Sequence, residues 1–395
     1  MIKAYKTNLK NISFFANVIL LFSILIDPTD ILFGVKRIAF LFFAVVSLPY
    51  AKFKNIFIFV IFYAIYFIAF SVGILDEQQI DYSFAFGVFT SFLFLSYLFW
   101  MNNEHLQVFS VFYKLTLIVS IIVISLYVLM SISPILEFAI YSFVAERNHF
   151  IIISRRIFLG MNFFMVFYRT APTVVISLSV ALYFLFSKRR TKYFIHSCIF
   201  LLCLLFSGTR ASMLSAMLIL VFFVLSYLLY HKKALLSFVV IFCFAGLFGM
   251  LLLVHLLGDI GEESLQVRAG HLESVWMLFS NDPLRFLFIG TGPGSFFYTA
   301  GWGEEVVHME FTYLELIRNY GLIFTLVILT LLCIPFLKIA NNRHYDKLLQ
   351  ITLSVGYLAY LFIAGTNPLL ISSTGLVVVA VMFYIGQTNI LNEMR

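Results

Sequence analysis

The sequence predicts an all-α, polytopic integral membrane protein that forms one domain over residues 1–395, and three observations carry that expectation. Hydrophobic residues make up 62% of the chain, 49 of them Phe, charged residues only 11%, and mean hydropathy is +1.02. An ordinary soluble domain is nearer half apolar and a quarter charged. Apolar runs of about 17 to 25 residues recur, each long enough to cross a hydrocarbon core roughly 30 Å thick. Between them lie basic clusters such as "KRRTK" (188–192) and "HKK" (231–233), which the positive-inside rule ties to cytoplasmic loops. The surroundings implied are membrane lipids, not nucleic acid.

About twelve transmembrane helices are expected, at 11–26, 37–51, 55–75, 82–100, 108–133, 170–187, 193–208, 211–230, 234–257, 313–335, 348–365 and 369–387. The first follows Lys3, Lys6 and Lys10 and superficially resembles a signal peptide. No small-residue cleavage site follows it, so it is read as a span. Cys198, Cys203, Cys243 and Cys333 all fall inside apolar runs, where cysteine behaves as a small core residue. Residues 193–230 form one nearly unbroken apolar run flanked by bases at both ends. As a single helix it would be about 57 Å long, too long for one crossing. It must therefore turn back, and "SGTR" (207–210) is the available break. That places Arg210 at the tip of an external hairpin.

Alternation from this anchor puts both termini in the cytoplasm and two long loops, 134–169 and 258–312, outside. The bases then divide unevenly. Cytoplasmic positions hold twelve Lys and four Arg; external positions hold Lys36 and nine Arg, among them Arg147, Arg155, Arg156, Arg169, Arg210, Arg268, Arg285 and Arg318. Topology treats the two residue types alike and does not predict this split. Arginine is always charged and binds phosphate or carboxylate with a planar fork, so the set points to an external site for a phosphate-bearing ligand. For any single arginine, pairing with an acid of the external loops is the plainer reading.

The larger external loop gathers ionisable chemistry. In "GEESLQVRAGHLESVWMLFSNDPLRF" (261–286), Leu265, Leu272, Val275, Trp276 and Phe279 follow a helical period, which predicts an amphipathic helix lying on the membrane surface. Arg268 and His271 are expected on another face, and Asn281-Asp282-Pro283 should end the helix. "GTGPGSFF" (290–297) offers three glycines without a following Lys-Ser/Thr pair, so a tight turn is favoured over a phosphate-binding loop. "EVVHMEFTYLELIRNYGLIF" (305–324) then leads into the tenth span. It puts Glu310 at the mouth of that helix, as a proton acceptor or as a carboxylate favoured there by the helix dipole. His308 is a second candidate acceptor or a surface histidine.

Taken in order, "SGTRASML", "RAGHLESVW", "GTGPGSF", "YLELIRNYGLI" and "TNPLLISSTG" (366–375) resemble the Wzy-type O-antigen polymerase and O-antigen ligase superfamily over roughly residues 190–385. The resemblance implies a GT-C-like fold with a large external loop over a membrane-embedded site. It also implies transfer of a glycan from an undecaprenyl-pyrophosphate-linked oligosaccharide to a hydroxyl, without metal or other cofactor, and a chain-length regulator protein as partner. Carried over, Arg210 and Arg268 hold the pyrophosphate, with Arg285 and Arg169 as further candidates. Ligases of this group place a His-Asn pair three and two residues before the "YL"; here those positions are Glu310 and Phe311, and His308 lies two residues earlier. That departure favours a polymerase with Glu310 as base.

The chemistry required agrees with these residue types. Preorganised arginines stabilise a pyrophosphate leaving group, and a positioned carboxylate accelerates proton removal from a sugar hydroxyl by roughly 10² to 10⁴. Trp302, Tyr298 and Phe297 are candidate platforms for sugar rings. Rival readings are an O-antigen ligase, a metal-dependent glycosyltransferase using Asp27 and Asp30, and a flippase or transporter.

Overall fold

A computed structural model describes every residue except 1, 77–78, 101–102, 147–150, 159–160, 189, 231–261 and 395. The expected span 234–257 and Arg147 lie outside the described residues. Seven helical segments among the described residues are long and apolar enough to cross a membrane: 7–26, 56–75, 82–100, 104–132, 210–227, 312–340 and 347–366. The chain is thus a largely helical protein of membrane type.

The first half runs through α1 (Ile2–Ile26), α2 (Lys36–Ser47), α3 (Ile56–Leu75), α4 (Tyr82–Leu93, extended by a 3-10 segment to Trp100), α5 (Val108–Ile132) and α6 (Pro134–Ala145). Over the second expected span, α2 has 12 residues and passes at Ser47 into a 3-10 turn, Leu48–Tyr50, so it is shorter than the seven long segments. Polar side chains join these helices inside the apolar core: Ser13 to Ser47 at 2.6 Å, Asn17 Nδ2 to the Leu106 carbonyl at 3.0 Å, and Tyr97 Oη to Asn17 Oδ1. Away from water, such groups must find partners within the protein.

The 134–169 segment, expected as an external loop, carries regular structure of its own in a largely helical protein. After α6 come two antiparallel strands, β1 (Ile151–Phe158) and β2 (Met161–Tyr168), in register from Ile151 opposite Tyr168 to Phe158 opposite Met161. Their β-branched and aromatic residues suit a pleated surface. The Arg155 guanidinium grips Glu137 and ties the hairpin to α6.

The run 193–230 turns back where its length required. α7 (Val174–Lys188) leads to α8 (Thr191–Phe206), and α9 (Arg210–Tyr230) starts four residues after α8 ends. Gly208 holds φ at +66°, and a Cβ there would meet the Met165 side chain of β2 at 2.6 Å. Beyond the 231–261 gap lie α10 (Glu262–Asn281), α11 (Pro283–Phe288), the short strands β3 (Phe297–Thr299) and β4 (Glu304–Val306), α12 (Thr312–Ala340), α13 (Lys347–Thr366), α14 (Ser373–Gln387) and α15 (Ile390–Glu393). α14 is buried from Ser373 to Gly386. A helix surrounded by protein is apolar all round.

Loops assigned to one side of the membrane meet at one end of the bundle. At one end Lys338 Nζ reaches Asn55 Oδ1, Glu393 accepts from the Ser110 N–H, and Tyr183 Oη donates to Asp346. At the other, the last carbonyls of α1 are capped from three directions: Ile24 by Thr374, Leu25 by Thr170, and Ile26 by Tyr168. Helix C-terminal carbonyls lack partners within the helix, so these caps fasten α1 to β2 and α14.

Candidate functional site

The site is organised by a broken helix. α12 is interrupted at Gly321, whose φ of 74° and ψ of 170° are not helical. The break separates a first segment, 312–320, from the long span and frees carbonyls at its end. The glycine-rich turn fills the gap: Thr291 N donates to Arg318 O at 2.7 Å and Gly292 N to Asn319 O at 3.1 Å. Backbones approach so closely that a Cβ on Gly290 would lie 2.3 Å from the Arg318 carbonyl oxygen. On its other side the turn meets α3 and the start of α4: Asp81 N donates to Gly294 O at 2.8 Å, and Phe296 N to Gln79 O at 3.0 Å. The glycines therefore form a packing turn, and the N–H groups of Thr291 and Gly292 are engaged by protein.

Arg318 locks this junction and is completely buried. Its guanidinium donates to Glu315 twice, to the Ser295 carbonyl and hydroxyl at 3.0 Å each, to Val307 O at 2.8 Å and to Thr291 Oγ1 at 3.3 Å. Its flat face covers the Phe297 ring, 4.3 Å from the centroid. A buried guanidinium is tolerable only with its donors satisfied and its charge balanced. Phe297 is thereby removed as a sugar platform.

Beside this junction opens a pocket of about 330 Å³ between α4, the first segment of α12 and the loop before α14. Its polar lining includes His308, Thr312, Glu315, Asn319 and Ser372, and Phe84 and Tyr320 supply aromatic walls. Thr312 Oγ1 donates to the Asn367 carbonyl at 2.6 Å, which holds the "TNPLL" segment against α12. Four rings run in series: Phe84 stacks on His308 at 5.8 Å, His308 faces Trp302 edge-on at 5.8 Å, and Trp302 meets His271 at 4.7 Å. His271 is buried, with Nδ1 paired to Thr299 Oγ1 at 2.6 Å and Nε2 unpartnered. Burial lowers its pKa, while the charges of Glu310 and Glu315 oppose that shift and His308 adds to it.

The residues expected from sequence divide into groups. His308 lines the pocket; Glu310, two residues on, is exposed and is not among the lining residues, though its charge and that of His308 both act on the buried His271. Arg268 is exposed on α10, whereas His271 of the same helix is buried, so the two do not share a face. Leu272 and Trp276 are exposed as the amphipathic pattern expects, but Val275 is buried against the body. Arg285 pairs with Asp76 at 2.7 Å and donates from Nε to the Gly290 carbonyl at 3.0 Å, an anchoring role for the turn. Arg169 lies at a separate corner, where it and Arg37 act electrostatically on Lys36 beside Asp27 and Asp30. Arg210 is half-buried at the first residue of α9.

Asp27 and Asp30 shape that corner. Asp27 accepts from the Ile31 and Phe33 N–H groups, and Asp30 from Lys36 N. From the sequence alone, Glu315 has no role and Arg318 counts only among the external arginines. The signal was present as an acid and a base three residues apart, just before Gly321, but nothing local shows that the pair is buried. Comparison of the chain with protein-family models, with curated proteins and with solved structures finds no match, so the family resemblance rests on the short motifs alone.

Proposed function

We propose that the chain is an inverting, metal-independent polymerase of a lipid-linked surface polysaccharide, working at the outer side of the cytoplasmic membrane. The growing glycan leaves its undecaprenyl pyrophosphate carrier and joins the non-reducing end of a new lipid-linked repeat unit. Glu310 takes the proton of the acceptor hydroxyl, whose oxygen attacks the anomeric carbon of the donor. The bond from that carbon to pyrophosphate breaks, and its electron pair leaves with the pyrophosphate, held by Arg210 and Arg268. His308 and Trp302 flank the acceptor sugar, and exposed Tyr298 offers a second ring. A chain-length regulator protein is the partner expected.

The observation that supports this reading most is the clustering of His308, which lines the pocket, with Trp302 against its ring and Glu310 two residues on, where the chain re-enters the bundle through a broken helix. Irregular backbone within a membrane protein is tolerated where it is buried or lines a cavity. A strain lacking the gene tests the proposal. Single-repeat caps on the lipid A-core support a polymerase, whereas accumulated free lipid-linked polymer would identify a ligase instead. Activity abolished by EDTA would overturn metal independence. Arg210→Lys keeps the charge but loses the fork, and activity should fall roughly 10²-fold.

A further inference from the structure

At the end of the bundle opposite the glycine-rich turn, α5 and α8 enclose a concavity of about 250 Å³ that the polymerase reading does not use. Lys114 of α5 and Lys192 of α8 line it, both exposed, with Tyr113, Tyr193 and His196 between them. Lys192 Nζ rests 4.9 Å from the Tyr193 ring centroid, and Tyr113 Oη pairs with His196 Nδ1 at 2.8 Å. Glu393 also lines the concavity; its oxygens accept from the Ser110 N–H at 3.0 Å and from Tyr384 Oη. The carboxylate is thus partnered by two donors of the protein itself.

The surface next to the lysines separates a lipid from a soluble anion. Toward the middle of the bundle, Ile118 and Ile121 follow Lys114 at helical spacing on α5, 43% and 47% exposed. On α8, Ile195 follows Lys192 by three residues and is 55% exposed. Two cations therefore stand at the end of a groove whose continuation is apolar and uncovered. Residues three or four apart lie on one helix face, so each lysine and its isoleucine address the same molecule.

We propose that this α5–α8 groove binds an anionic phospholipid, its phosphate held between Lys114 and Lys192 and an acyl chain lying along Ile118, Ile121 and Ile195. The positive-inside assignment makes this the cytoplasmic leaflet, whose anionic lipids attract basic pockets between helices. The site is independent of the catalytic proposal.

The test uses the full-length chain purified in detergent and titrated with phosphatidylglycerol, with phosphatidylcholine or with inorganic phosphate, bound lipid being counted by native mass spectrometry. Phosphatidylglycerol should bind in preference to phosphatidylcholine, and Lys114→Gln with Lys192→Gln should weaken it roughly thirtyfold. Lys52→Gln with Lys347→Gln, an equal loss of charge assigned to the same side, should change it less than twofold. Equal binding of the two lipids, or unchanged binding by the double variant, would overturn the proposal. Full displacement of the lipid by inorganic phosphate would overturn it too, showing a site for a soluble anion.

Discussion

Arg318 and Glu315, one helical turn apart, meet fork to fork: Nη2 lies 2.7 Å from Oε1 and Nε 3.1 Å from Oε2. Asn319 Nδ2 adds a third bond to the same carboxylate at 2.8 Å. The pair closes the junction between the glycine-rich turn and the broken helix. Removing one partner of a buried pair leaves the other charge uncompensated, at a cost of about 3–5 kcal/mol. Arg318→Ala should therefore lower the melting temperature steeply and reduce the protein recovered from membranes. Arg318→Lys should recover little, since one ammonium cannot reach Glu315, Ser295 and Val307 together. A wild-type melting temperature in either variant would show that the junction stands without the guanidinium.

Two glycines separate backbone strain from collision. Gly303 has φ of +70° with nothing within 4 Å of an added Cβ; Gly321 has φ of +74°, and its Cβ would lie 2.5 Å from Ile289 N. Gly303→Ala should cost about 1–2 kcal/mol, the penalty of a left-handed residue. Gly321→Ala carries that penalty plus the clash with backbone, so its loss of stability should be at least twice as large. Similar denaturation midpoints for the two would contradict the close approach of Gly321 to Ile289.

The proton acceptor is distinguished by ranking variants in a polymerisation assay at matched protein level. Glu310→Gln keeps the shape and loses the basicity, so the rate should fall by roughly 10² to 10⁴. Glu310→Asp should retain a little activity. His308→Ala should be milder, a reduction of about tenfold or less, because it removes a ring of the pocket and not the base. The reverse order, with His308→Ala dead and Glu310→Gln active, would transfer the role to histidine.

His271 gives the protein an acid limit. Burial lowers its pKa from the ordinary 6.5, so the unfolded chain takes up the proton before the folded one does. Its contribution to stability is full above about pH 6.5 and declines as pH falls from there toward the lower folded pKa. Melting temperature should drop through that window, and His271→Gln should flatten the slope. An unchanged slope would assign the acid sensitivity to another group.

Sidedness is checked by impermeant thiol labelling in intact cells. Ser207 and Ser295, though on the segments expected outside, are buried; Tyr298, 60% exposed, is the better reporter. In a background without native cysteines, Tyr298→Cys should label and Thr191→Cys should not. Labelling at Thr191 alone would invert the arrangement.

The sequence by itself determined that the chain is a helical membrane protein, because spans and basic flanks are written in composition and run length. It also determined the turn at 207–209: no single helix as long as 193–230 fits one crossing. It set the end of α10 at Asn281, through the Asn-Asp-Pro that follows. Tertiary structure alone decided what hydropathy cannot encode. Residues 151–168 are as apolar as a helical segment, and only their pairing shows a strand hairpin. Over the run at 37–51, only the structure shows that the α-helix gives way after Ser47 to a 3-10 turn ending at Tyr50. Within the ionisable stretch, charge and spacing treat Glu310 and Glu315 alike, and likewise Arg268, Arg285 and Arg318. Burial separates them: Arg318 and Arg285 are anchors because Glu315 and Asp76 face them, while Arg268 remains at the surface. Partners brought from the other side of a fold are long-range contacts, and no local pattern of residues carries them.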